Sequence, residues 1–486
     1  MSDDPRELDA IVIGSGPNGL AAAVALARAG LAVHVVEARD ELGGGTRTSE
    51  LTIPGFLHDV CSTAHPTGAV SPWFRTLELE AHGLEWVRSP AAVAHVLPDG
   101  RAITLEALEA TIAQLGDDGD AYRDLMAPYL DRFDELLPML LAPLRVPRHP
   151  WLFAKFGMDA MRSLTGLARA RFTGEAAPAL LAGIAAHTLV PLDQLATASV
   201  GLVLALIGHA HGWPLARGGS RAISDALARL FTSLGGTIEL GHEVRSLAEL
   251  PPARAYLFDT SPRQLAAIAG DRLPARYRAR LLAFRHAPGV FKIDWALHGP
   301  VPWRDPRCAR AATVHLSGTL DDVAAAEAAT FAGRVADPPF TLVVQPSLFD
   351  PTRAPAGKHV AWAYGHVPAG STADATARIE AHIERFAPGF RDLVIARATL
   401  GPEDLEAYNA NYVGGDITGG LGDLTQLLFR PVVRADPYAT PARELYLCSA
   451  STPPGAGVHG MCGYWAAASV LRRVFGKPPP HCGAPR

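Results

Sequence analysis

Near the start of the chain, Asp9-Ala-Ile-Val-Ile13 runs into Gly14-Ser-Gly-Pro-Asn-Gly19 and then into an Ala-rich stretch from Leu20 to Arg28. The apolar run fits a parallel strand buried on both faces, and the Ala-rich stretch reads as a helix. Gly30 stands where that helix ends, and Ala32-Val-His-Val-Val36 supplies a second strand. Two strands joined by one helix pair in parallel with a right-handed crossover. The glycines therefore occupy the turn at which a strand becomes a helix.

At that turn Gly14-x-Gly16-x-x-Gly19 reads as a phosphate cradle. Short glycine patterns arise by chance, but this one leaves a strand, opens a helix, and is followed 18 residues after Gly19 by Glu37 at the end of the second strand. Gly14 allows the tight turn, Gly16 lets the backbone approach a pyrophosphate, and Gly19 lets helix and strand pack closely. The helix N-terminus presents N–H donors and the positive end of its dipole to the phosphates. Glu37 can take both ribose hydroxyls on its two carboxylate oxygens, and its charge repels a 2′-phosphate, which speaks against NADP in this site.

Further along, Gly218-Gly-Ser220 precedes a helix with Ile223, Leu227, Leu230, Phe231 and Leu234 at helical spacing. Gly235-Gly236 ends it, Thr237–Leu240 and Glu243–Arg245 read as strands, and Arg254–Asp259 reads as another. Near the end, Glu444–Cys448 is strand-like, a Gly-rich turn follows, and Trp465 to Phe475 is helical in pattern. The fold class expected is α/β: one nucleotide-binding domain of the Rossmann type built from the separated stretches 1–99, 216–285 and 406–486. Between them lie a helical substrate or lid region, 100–215, and a mixed α/β substrate domain, 286–405, with a helix near 374–386. At 486 residues the chain is long enough for roughly three units at about 150 residues each.

Composition removes several classes. Hydrophobic residues make up 48% and charged residues 19%, which excludes disorder as the dominant state. A net charge of −5 lacks the basic footprint of nucleic-acid binding. The five cysteines, Cys61, Cys308, Cys448, Cys462 and Cys482, contain no Cys-x-x-Cys pair, which argues against a disulfide framework and a zinc site. His209 and His211 have no nearby carboxylate or Cys in sequence, so no metal is expected there. Met1-Ser-Asp-Asp-Pro-Arg-Glu7 has neither the basic start nor the apolar run of a signal peptide, and the expected address is the cytoplasm. Gln194 to Ala216 holds no Asp, Glu, Lys or Arg, but its apolar centre, Val200 to Ile207, is too short to span a bilayer and reads as a buried helix or pocket wall.

After Glu37 comes Ala38-Arg-Asp-Glu-Leu-Gly-Gly44-Gly45-Thr46-Arg47-Thr48, a second glycine cluster suited to a ligand longer than the first motif alone would hold. With Val12–Gly19, Glu37-Ala-Arg39, Leu42-Gly-Gly44, Ile53–Phe56, Gly212-Trp-Pro214, Arg217–Ser220, Asp259–Pro262 and Pro454–Gly457, almost the whole chain resembles the FAD-containing phytoene desaturase-like oxidoreductases. That family includes carotenoid isomerases and retinol saturase-like reductases and is related to the amine oxidases. Within it the chain looks most like the pyridine nucleotide-disulfide oxidoreductase domain-containing branch, although it lacks a redox-active cysteine pair.

The resemblance implies FAD as cofactor. Gly14, Ser15, Gly16, Pro17, Asn18 and Gly19 would lie at the pyrophosphate, Glu37 at the ribose, Arg39 and the backbone of Val244 at the adenine, with Ala38 also in contact with the cofactor. Gly44, Gly45, Thr46, Arg47 and Thr48 would line the pyrophosphate and ribityl chain. Gly457, Val458, His459, Gly460 and Met461 would bring a helix N-terminus to the flavin, where its dipole stabilises charge on the reduced ring. Carotenoid desaturases tend to carry an apolar residue or Pro at the place of His459, which puts a long polyene substrate in question. His459, and His65 in the loop His58–Pro66, are the candidate acid–base groups beside the flavin, with structural hydrogen bonding as the competing role. Cys448 and Cys462 read as small core residues, and Asp416 reads as a turn cap.

Residues 175–217 contain only Asp193 as a charged residue between their ends. The expected function is hydride transfer between flavin and C–C or C=C bonds of an apolar substrate, with desaturation, saturation and isomerisation all open. Flavin amine oxidation is the second reading. A non-catalytic binding protein, like the escort and GDP-dissociation inhibitor proteins that resemble this fold, is the third. Docking of the 100–215 helices onto lipid, and a homodimer, are left open.

Overall fold

The structure is a computed structural model that describes residues 8–483. Met1 to Glu7, on which the cytoplasmic expectation rests, lie outside the described residues. Two sheets organise the rest. The first has five parallel strands in the order Leu445–Leu447, Ala253–Phe258, Leu8–Ile13, Val33–Val36, Thr237–Glu239. Ile13 stands between Phe258 and Val36, so the three central strands end level with one another. Ligands of open parallel sheets bind at such carboxyl ends, and the chain leaves this edge through Gly14, Glu37 and Asp259.

Helix Pro17–Arg28 starts at this edge because Pro17 at its first position has the φ a helix needs and no N–H to leave unsatisfied. Its residues from Asn18 to Ala27 are all buried. One side packs on the sheet and the other on helix Met461–Val470, from the opposite end of the chain. The approach is so close that a Cβ on Gly463 would stand 1.8 Å from the Asn18 carbonyl oxygen. Full burial of Leu20, Val24 and Leu26 contributes about 1.5–3 kcal/mol each.

The second sheet has seven strands in the order Val394–Leu400, Gly289–Leu297, His359–Val367, Thr341–Val344, Ala311–His315, Ala91–Val96, Ala102–Leu105. Neighbours are antiparallel except Ala91–Val96 and Ala311–His315, which run parallel. This corrects two boundaries drawn from sequence. Ala91–Val96, placed in the nucleotide-binding stretch 1–99, and Ala102–Leu105, placed in the helical region 100–215, both belong to the mixed sheet. Every residue of Ala91–Val96 is buried, so its composition does not differ from that of a Rossmann strand.

Glu243–Arg245 is not a strand. After the edge strand Thr237–Glu239 the chain turns across the sheet's end, with the Gly241 N–H bonding the Arg39 carbonyl and the His242 N–H bonding the Glu37 carbonyl. Residues 119–211 are mainly helical, including Gly119–Leu130, Phe133–Leu140, Pro150–Ala160, Leu164–Arg171 and Ala176–Ala185. The charge-poor stretch forms helix Thr197–His211. Among the described residues no helix is long and apolar enough to cross a membrane.

Candidate active site

The carboxyl edge of the parallel sheet opens into a cavity of about 900 Å³ that reaches the face of the mixed sheet. At its nucleotide end Gly14, Ser15, Gly16, Pro17 and Asn18 border it. Gly14 has φ +100°, a conformation open to glycine, and a Cβ on Gly16 would stand 2.5 Å from Asp259 Oδ2. The cradle is thus pressed against Asp259, at the end of the neighbouring strand. Gly19 does not border the cavity; its N–H donates to Asp259 Oδ2 at 2.9 Å. One donor of the helix N-terminus is therefore committed to a carboxyl group of the chain itself. Burial raises the Asp259 pKa to about 7, opposed by the Gly19 bond and reinforced by the Glu37 charge.

Glu37 is buried and borders the cavity. Its Oε2 accepts the Ser15 N–H at 2.9 Å and the Ser15 hydroxyl at 2.6 Å, while Oε1 accepts the Arg39 N–H at 3.0 Å and Arg47 Nη2 at 3.3 Å. A carboxylate has about four lone-pair sites, so the chain itself fills them all. This corrects the picture of two free oxygens: a ribose hydroxyl reaches Glu37 by displacing the Ser15 hydroxyl, which turns away by rotation about the Cα–Cβ bond. Ala38, Arg39 and Val244 border the same end of the cavity, and Arg39 Nη2 donates to the Ala407 carbonyl.

In the second glycine cluster Gly44, Gly45 and Arg47 border the cavity. Thr46 and Thr48 stand behind it. Thr46 Oγ1 donates to the Gly43 carbonyl at 2.8 Å and Thr48 Oγ1 to Asp59 Oδ1 at 2.7 Å. Tyr408 and Tyr412, which sequence reasoning missed, clamp this loop. Tyr408 OH donates to the Gly44 carbonyl at 2.8 Å, and a Cβ on Gly45 would stand 2.1 Å from Tyr412 OH. No sequence signal links tyrosines to a loop more than 360 residues away.

The C-terminal segment contributes Gly457, Val458 and His459 to the cavity wall. Gly460 and Met461 lie behind it. Gly460 has φ +66° and packs so closely that a Cβ would meet the Phe74 ring at 2.4 Å; Met461 begins the helix that packs on Pro17–Arg28. His459 Nδ1 accepts the Met461 N–H at 3.0 Å, so Nε2 carries the proton, and that atom is buried without a partner. His65 Nε2 lies 2.8 Å from Ser220 Oγ, whose single proton goes to the Ser62 carbonyl at 2.5 Å. His65 Nε2 is then the donor, and Nδ1 is an unpartnered, buried acceptor.

Burial lowers both histidines to about 4, against the pull of nearby Gly455 and Ala456 carbonyls for His459 and of the Asp59 charge for His65. The expectation of groups titrating near neutrality is therefore corrected. At pH 7 both rings are neutral, His459 offering a donor and His65 an acceptor.

A buried ion cluster holds the His65 loop. Arg353 bonds Asp59 Oδ2 at 3.0 Å and Asp350 Oδ2 at 2.9 Å, with all three side chains shielded from solvent. Burial alone would raise Asp59, but the Arg353 guanidinium outweighs it and holds the carboxyl at about 2. Asp59 also accepts the Ser220 N–H and the hydroxyls of Thr48 and Thr63, and Thr63 accepts the indole N–H of Trp362 on the cavity wall.

The inner half of the cavity is walled by Phe153, Val203, Leu204, Leu342, Val344 and Trp362, from the helical region and the mixed sheet. The carboxylates bordering the cavity, among the described residues, are Glu37, Glu243 and Asp259, all at the nucleotide end. Arg430 borders it too, but its guanidinium donates to the carbonyls of Gln426, Ala450 and Leu421. His187 is a polar group of the inner wall, with Nε2 3.2 Å from His315 Nε2, and burial lowers it to about 3.

Asp416 caps a turn, accepting Thr418 N–H at 2.8 Å, and its other oxygen takes Ala287 N–H at 3.1 Å. Cys448 and Cys462 are buried thiols, pushed up by burial, and all five cysteines are free. His209 spends its ring nitrogens on Tyr122 OH and the Glu106 carbonyl.

Residues 12–78 match the family model described as NAD(P)-binding Rossmann-like domain. Mouse pyridine nucleotide-disulfide oxidoreductase domain-containing protein 2 is 30% identical over 557 aligned positions, covering 96% of this chain and 94% of the mouse protein. The chain belongs to that protein's family. Phytoene desaturase (lycopene-forming) of Paracoccus sp. is 26% identical, covering 94% of this chain and 96% of the desaturase. Putrescine oxidase, solved with putrescine bound, shares the fold with a TM-score of 0.62 at 18% identity, over 96% of this chain and 99% of the oxidase. This member of the family is an oxidoreductase of the FAD-dependent, phytoene desaturase-like type.

Proposed function

We propose that the cavity holds FAD along its nucleotide end and a largely apolar substrate, of polyene, isoprenoid or lipid-like chemistry, along its inner half. The chain fits the cofactor. A ribose hydroxyl can take the place of the Ser15 hydroxyl on Glu37, and Asn18 borders the cavity at the phosphate turn with an amide whose NH2 can donate to a phosphate oxygen. Gly44, Gly45 and Arg47 would follow the chain between the phosphates and the ring, and Gly457 to His459 would meet the ring itself.

Bound FAD supplies hydride acceptance or donation. The protein orients the substrate and excludes water with the apolar wall. His459 Nε2–H is a neutral donor that can hold a substrate group by a hydrogen bond, and His65 Nδ1 is a neutral acceptor that can take a proton, with no imidazolium in the resting site. Saturation, desaturation or isomerisation of a C–C or C=C bond is the chemistry this supports.

One observation carries the reading: among the described residues, no carboxylate borders the cavity beyond the nucleotide end. An ammonium substrate needs such a partner, which disfavours amine oxidation despite the shared fold. The test is anaerobic bleaching of the flavin absorbance in the purified holoprotein. Isoprenoid or lipid fractions of a cell extract should bleach it, while putrescine and benzylamine should not. Bleaching by the amines alone would overturn the proposal, and a colourless protein that refuses FAD would overturn the cofactor.

A further inference from the structure

On the inner wall of the cavity, Thr188 and Ser199 spend their hydroxyls on nearby carbonyls, donating to Val190 at 3.5 Å and to Ala196 at 2.6 Å. Thr313 does not. It borders the cavity, is only 2% exposed, and its Oγ1 has no hydrogen-bond partner among the described residues. A buried hydroxyl left unmatched costs about 1–3 kcal/mol, and a valine of the same shape would avoid that cost. Such an orphan in a cavity wall points to a partner that enters the cavity. A turn about Cα–Cβ exchanges the positions of hydroxyl and methyl, so the side chain can offer its hydroxyl to a guest.

Histidines stand beside it. Thr313 lies in the strand Ala311–His315, where alternate residues share a face, so His315 projects to the same side about 7 Å further along. His187, on the turn after helix Ala176–Ala185, borders the cavity, and its Nε2 lies 3.2 Å from His315 Nε2. One ring of this pair donates and the other accepts. Exchanging the two tautomers makes His187 Nδ1 either a donor or an acceptor. Behind the pair, a Cβ on Gly183 would stand 2.4 Å from His95 Nδ1 and 2.8 Å from His315 Nδ1, so the helix is pressed against these rings and confines them.

This polar group carries no charge. Burial lowers His187 to about 3 and holds His315 well below its ordinary value, so both rings are neutral at pH 7. Neither an anion nor an ammonium finds an opposite charge here, whereas an uncharged oxygen finds a donor and an acceptor.

We propose that Thr313 and His187 form a subsite for an uncharged oxygen, the hydroxyl or carbonyl group of an otherwise apolar substrate. The Thr313 hydroxyl donates to that oxygen. His187 donates as well when the guest is a carbonyl, and accepts when the guest is a hydroxyl, with His315 taking the complementary tautomer. A chain held at this oxygen presents a fixed stretch of its carbon skeleton towards the flavin. The subsite rests on the apolar-substrate reading and narrows it to chains with one neutral polar group.

The test titrates the flavin-loaded full-length protein with farnesene, farnesol, farnesal and farnesoate, one isoprenoid skeleton bearing no oxygen, a hydroxyl, a carbonyl or a carboxylate. Tryptophan fluorescence reads binding, since Trp213 and Trp362 belong to the cavity wall. Farnesol and farnesal are expected to bind about ten-fold more tightly than farnesene and farnesoate. Thr313→Val keeps the side-chain shape and should erase most of that preference, and His187→Phe should do the same. The flavin spectrum and melting temperature of each variant separate a lost subsite from a lost fold. Equal affinity of the native protein for farnesene and farnesol would overturn the subsite and leave the apolar reading standing, as would a preference that survives in both variants. Tightest binding of farnesoate would overturn it in favour of an anion site. Binding of none of the four would overturn the apolar reading and the subsite with it.

Discussion

The Asp259 carboxyl group accepts the Gly19 N–H at 2.9 Å, joining the end of a strand to the first turn of a helix 240 residues earlier in the chain. Gly19 is the third residue of that helix, a position whose N–H has no partner within the helix. The bond therefore caps the helix from outside and brings an acid next to the phosphate turn.

That placement has a pH signature. Asp259 is raised from 3.8 to about 7, so between these values the folded protein keeps a proton that the unfolded chain releases. Its contribution to stability is present below pH 4 and lost as pH rises towards 7. A bound pyrophosphate adds negative charge beside it, so FAD affinity should also fall through about pH 7, by up to about ten-fold per pH unit. Asp259→Asn should flatten both trends, and melting curves and flavin titrations across pH 5 to 9 read them.

The buried histidines act in the opposite sense. His65, His95, His209 and His459 are lowered to about 4 by burial. Each is neutral in the fold at pH 6 while the unfolded chain takes up a proton, so stability is lost as pH falls from 6.5 towards 4. Each contributes up to about 3 kcal/mol. The melting temperature should drop across this window, and His459→Gln should recover part of the drop. Flavin reduction should show no histidine step between pH 6 and 8, as stopped-flow rates will reveal.

Gly45 and Tyr412 offer a paired substitution. A Cβ on Gly45 would stand 2.1 Å from Tyr412 OH, so Gly45→Ala should cost about 1–3 kcal/mol by overpacking and weaken flavin binding. Adding Tyr412→Phe removes the clashing oxygen and should restore most of both. If the double variant is no better than the single one, the tyrosine does not clamp the loop.

Arg353 stands between Asp59 and Asp350 with no access to solvent. Arg353→Gln leaves two buried carboxylates without their cation and should cost about 3–5 kcal/mol. With Arg353 in place Asp59 titrates at about 2 rather than 3.8, so its stabilisation is full above pH 4 and lost as pH falls through 2. In the variant, unfolding should begin at higher pH, as circular dichroism during acid titration will show.

The βαβ unit was readable because its signals are local. Ile13, Gly14, Gly16 and Glu37 lie within one supersecondary unit, and each residue type answers a need of its own position. The helix at Thr197–His211 was likewise legible as a buried wall, since a run without charge but with interspersed Gly and His suits a protein interior better than a bilayer. Ala91–Val96 was not assignable, because a fully buried strand has the same composition in either sheet.

The linear order of residues settled the type of ligand end, a glycine turn opening a helix with an acid on the next strand, because those contacts span few residues. Which groups stay free in the site was a matter of packing. Ser15 fills Glu37, Asp259 takes the Gly19 amide, Tyr412 confines Gly45, and burial strips His65 and His459 of their charge. Those effects depend on distance and desolvation between segments hundreds of residues apart, and neither quantity exists until the chain has folded.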